Sequence, residues 1–73
     1  MNKENKLEEW DLLKEKEFYL KQIIESIQDI QKLNPAKYKE DLSILHGYCN
    51  IMSAFIMEIY NLNYKIERLK NGK

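Results

Sequence analysis

Apolar positions fall at helical spacing along most of this chain. In the N-terminal half, Leu13, Leu20, Ile24 and Ile27 share one face, flanked by Leu12, Tyr19, Ile23, Ile30 and Leu33. The C-terminal half carries two seams. One holds Tyr38, Leu42, Leu45, Cys49, Met52, Ile56 and Ile59, and the other Ile44, Tyr48, Ile51, Phe55, Leu62, Ile66 and Leu69. At roughly 100° per residue the two seams cover about half of a helix circumference. The pattern predicts two long helices and no strand.

The only proline, Pro35, separates them. A residue before proline is pushed out of the helical region, whereas proline suits the first helical turn, where its missing N–H is not needed. Asn34 is therefore expected to cap a second helix that begins at Pro35. The predicted boundaries are helix 1 over about 5–33, a turn at 34–35 and helix 2 over about 35–70. Asn5 followed by Glu8 is similar to a capping box at the start of helix 1. Asn71-Gly72 reads as the stop of helix 2, with Lys65, Arg68 and Lys70 in its last turns. Gly47 is where helix 2 would break, but Leu42, Leu45, Cys49 and Met52 keep their spacing through it, so the helix is expected to continue.

A tight turn makes the helices antiparallel neighbours. With equal rise on both sides, Ile27 is expected to meet Leu42, Ile24 to meet Leu45, Leu20 to meet Cys49, Leu13 to meet Ile56 and Trp10 to meet Ile59. That register uses the first seam of helix 2 and leaves the second without a partner in the chain. The expected fold class is thus all-α: one domain over residues 1–73, an antiparallel two-helix hairpin that self-associates into a homodimeric four-helix bundle. Its expected oligomer interface is Ile44, Tyr48, Ile51, Phe55, Leu62, Ile66 and Leu69.

Composition narrows the function. The chain is 44% apolar with two glycines and one proline, which excludes a disordered segment and a turn-rich β domain. Twelve basic and twelve acidic side chains cancel, so no bulk positive field points to nucleic acid. One arginine among the basic residues is a poor endowment for phosphate or base recognition. A single cysteine rules out an internal disulfide framework and fits a reducing compartment. The charge-dense start, Met1 to Lys16, does not read as a secretory leader. The charge-free run Leu42–Met57 is short for a bilayer, so no membrane partner is expected and the location is expected to be cytoplasmic. Acidic Glu4, Glu8, Glu9, Asp11 and Glu15 would lie beside basic Lys65, Arg68, Lys70 and Lys73 in the folded hairpin.

Little in the chain carries chemistry. His46 and Cys49 are three apart on one helix, and two copies would supply four zinc ligands. The plainer reading makes Cys49 a small hydrophobe in the apolar seam, with no metal and no cofactor expected. There is no nucleophile–histidine–acid set and no phosphate-binding glycine loop, so no enzyme is expected. Glu17 interrupts the helix 1 seam opposite Met52 and reads as a polar register mark or an exposed side chain.

Phe18 projects roughly opposite the main face of helix 1, Trp10 sits between that outer side and the core stripe, and both are candidate contacts for a protein partner. On helix 2, Gly47, Asn50 and Ala54, with Ser43, form a small, uncharged strip that another helix could approach closely. The expected function is a small protein-binding regulator or inhibitor that acts as a homo-oligomer. Its size and its Lys-, Asn- and Ile-rich composition suit a product of a phage or other mobile element. The alternatives are an oligomer trapping a small ligand between subunits, and a nucleic-acid-binding hairpin dimer. The expected shape is similar to that of small dimeric hairpins that bind RNA, a likeness of architecture that transfers no residues.

Overall fold

The structure is a computed structural model that describes the backbone of residues 3–71 and the side chains of residues 6–71. Helix α1 spans Lys3–Ile30 and helix α2 spans Lys39–Asn71. Glu9 lies beside Lys70 at the open end, and Asp29 beside Tyr48 nearer the turn, so the helices run antiparallel. The expected all-α hairpin is present. α2 passes through Gly47 without interruption.

The connection is longer than a two-residue turn. α1 closes by tightening, with the amides of Lys32 and Leu33 donating to the carbonyls of Asp29 and Ile30 at 3.1 and 3.0 Å. Asn34 then caps as its sequence suggests: its Oδ1 accepts from the Lys37 amide at 3.2 Å, and its carbonyl accepts from Tyr38 at 2.9 Å. That cap holds one isolated turn over 35–37 and not the start of α2. α2 begins again at Lys39, with Glu40 and Asp41 in its first turn complementing the helix dipole. Asp41 also ties the linker down, accepting from the Asn34 amide at 2.8 Å. At the other end, α1 already includes Asn5, so that residue is inside the helix and not its cap. The Asn5 side chain and the Gly72 stop signal lie outside the described residues.

The longer linker changes the register and the packed faces. Tyr19 stacks against Phe55 with ring centroids 5.4 Å apart, where equal rise from a tight turn would have put it near Asn50. α1 presents Leu12, Tyr19, Ile23, Ser26 and Ile30 to α2, which answers with Leu45, Tyr48, Met52, Phe55, Ile59, Leu62 and Ile66. Relative to the expected Leu13–Leu20–Ile27 face, α1 is thus turned by roughly 100°. Aromatic side chains bury more apolar area than the leucines they displace, which favours the Tyr19–Phe55 arrangement. The core is thin: among the described residues Leu62 and Ile66 are its buried apolar side chains, and Ser26 its buried polar one.

Candidate functional site

The seam expected to hold a second copy is divided by this rotation. Tyr48, Phe55 and Leu69 are half-buried in the hairpin, and Leu62 and Ile66 are buried there, so these five serve the chain's own core. Only Ile44 and Ile51 of the expected oligomer interface stay exposed. Two seams at equal helical spacing compete for α1 within the chain, and the aromatic one is turned inward here.

What the structure leaves open instead is the face predicted to be internal. Leu13, Leu20, Ile24 and Ile27 of α1 are all more than 40% exposed, as are Leu42 and Ile56 of α2. Cys49 is an exposed free thiol on the same α2 stripe. Trp10, expected against Ile59, is also exposed.

The two stripes share one broad side of the hairpin. On each helix the stripe follows the packed face by roughly 100° in the direction of increasing residue number. Seen from one end, antiparallel right-handed helices turn in opposite senses, and their packed faces point at each other. Equal rotations therefore carry both stripes to the same side. The opposite side holds Asp11, Glu15 and Asp29 from α1 with Glu40, Glu58 and Lys65 from α2, all exposed, together with Ile44 and Ile51.

The predicted partner residues lie around these faces. Trp10 and Phe18 are 56% and 55% exposed on α1. Lys14 sets its ammonium over the Trp10 ring at 4.8 Å, and Phe18 meets Tyr19 edge-on at 5.7 Å. Glu17 points to solvent and lines shallow grooves with Trp10, Lys14, Leu20 and Ile24. On α2, Asn50 and Ala54 are exposed, and Gly47 is half-buried with open space around the position of an added Cβ.

Among the described residues, polar contacts between the helices are few. Tyr48 donates its hydroxyl to Asp29 Oδ2 at 3.2 Å, and this hydrogen bond raises the phenol's pKa above its ordinary value. The expected pairing of acidic α1 with basic α2 is represented by Glu9 and Lys70 at 3.7 Å. Among the described residues no three His, Cys, Asp or Glu side chains gather as a metal site, and His46 and Cys49 both face solvent.

α2 also contains an 18-residue window of mean hydropathy 1.3, none of it fully buried, which is long and apolar enough to cross a membrane. The charge-free run alone was too short for that expectation, but the helix extends well beyond it. The core helix of a soluble bundle meets the same criterion. No protein-family model matches the chain, and no match emerges among curated proteins or solved structures.

Proposed function

We propose that this chain is a non-enzymatic, protein-binding regulator or inhibitor that works as a helical homo-oligomer. One observation carries the reading: among the described residues fifteen large hydrophobic side chains are exposed while two are buried. Burying a single leucine or isoleucine contributes roughly 1.5–3 kcal/mol, so a surface of this kind favours association. A core this small rarely contributes more than about 3–5 kcal/mol by itself. The exposed residues supply apolar area and aromatic anchors, which suits recognition of a partner surface.

Within this reading the broad apolar side serves self-association, while Trp10 beside it and Phe18 on the outer side of α1 serve a target. The test separates the two. Trp10→Glu with Phe18→Glu is expected to abolish retention of a target captured from the native host, while sedimentation velocity still shows the wild-type oligomer. Loss of the oligomer in that double variant, or target retention unchanged, counts against the division. A wild-type chain that sediments as a folded 8.9 kDa monomer at micromolar concentration defeats the proposal.

A further inference from the structure

We infer that the side formed by Leu13, Leu20 and Ile24 of α1 with Leu42, Cys49 and Ile56 of α2 is a two-fold interface, and that its occupant is a second copy of this chain. The inference rests on the self-association proposed above and identifies its surface.

Area is the first argument. The chain exposes 5986 Å². A compact monomer of 8.9 kDa exposes about 4,800 Å² by the size scaling of folded proteins. The excess, about 1,200 Å², exceeds the roughly 800 Å² that each partner gives to a standard interface. The Cα radius of gyration is 16.9 Å, against about 11 Å for a compact domain of this length. A second hairpin laid along the rod supplies the missing thickness.

The distribution of charge is the second argument. The apolar side is free of charged residues between Leu20 and Ile27 on the α1 stripe and between Leu42 and Ile56 on the α2 stripe. The opposite side carries Asp11, Glu15, Asp29, Glu40, Glu58 and Lys65. Two copies of the apolar side cover both stripes under two-fold symmetry, with Glu17 between Leu13 and Leu20 and Glu67 beyond Ile56 turned to the rim, where their carboxylates reach water. Two copies of the opposite side would bring carboxylates together.

Sedimentation equilibrium between 1 and 50 µM tests the assignment, with circular dichroism to confirm helicity. The wild-type chain is expected at twice its 8.9 kDa mass. Leu20→Glu is expected to weaken association by about 100-fold or more, since it places an unpaired carboxylate in the interface. Ile51→Glu, on the opposite side, is expected to change it less than about threefold. The unmodified chain gives an independent reading through its thiol. Labelling of Cys49 by a disulfide reagent is expected to slow at least tenfold as concentration rises through the dimer range. If Ile51→Glu dissociates the oligomer while Leu20→Glu and Cys49 labelling do not respond, self-association stands and this interface is wrong. If the wild-type chain is a monomer at every concentration, both readings fall. If it is a monomer that pellets with phosphatidylcholine vesicles while Leu20→Glu stays in solution, the occupant is lipid and the inference is overturned.

Discussion

Tyr48 reaches from α2 to the Asp29 carboxylate of α1, a cross-helix hydrogen bond that favours the protonated phenol. Its folded pKa is raised, so the associated stability is complete below the unfolded value near 10 and is lost as pH climbs through the folded value. Urea unfolding at pH 8 and pH 10.5 is therefore expected to show an alkaline loss of stability that Tyr48→Phe removes. The two buried side chains have a larger effect. Leu62 is 2% exposed, and Leu62→Ala is expected to cost about 2–5 kcal/mol, comparable to the whole core. Circular dichroism would report this as loss of most helical signal at low concentration, where association cannot compensate.

At the scale of elements, each helix is continuous because its sequence avoids interior proline and keeps strong helix formers on its outer faces. Gly47 is the weak point of α2. No atom lies within 4 Å of an added Cβ there, so Gly47→Ala is expected to gain about 1 kcal/mol and raise Tm by about 4–8 °C in a thermal melt. The number of helices and the continuity through Gly47 were legible from spacing. The capping role of Asn34 was legible too, because it depends on two adjacent residues. What those residues do not encode is whether the capped turn continues. That depends on Asp41 reaching back to the Asn34 amide and on Tyr19 finding Phe55, contacts between positions far apart in the chain.

At the scale of the molecule, the hairpin is a rod with Cα extents of 56 × 15 × 11 Å. Small-angle scattering of the Leu20→Glu chain is expected to give a radius of gyration near its Cα value of 16.9 Å. A value near 11 Å would mean that the helices have collapsed into a different packing. The surplus of apolar surface was evident in the sequence, but the choice of surplus face was not. Leu13, Leu20 and Ile27 have the same helical spacing as their flanking stripe, so periodicity ranks them equally. Linker length and ring size break that tie, and both act through the folded chain. Candidate chemistry was the least legible part, since His46 and Cys49 sit close in sequence but converge with no third ligand among the described residues.

The linker over 31–38 has a kinetic consequence as well. All tertiary structure arises between two neighbouring segments joined by one short loop, a topology of low contact order whose first collapse belongs on a microsecond timescale. In the proposed dimer, pairing of finished hairpins is then the slow, second-order event. Abundance in the cell, more than the speed of chain folding, would thus govern how much active protein accumulates and how much is left to proteases.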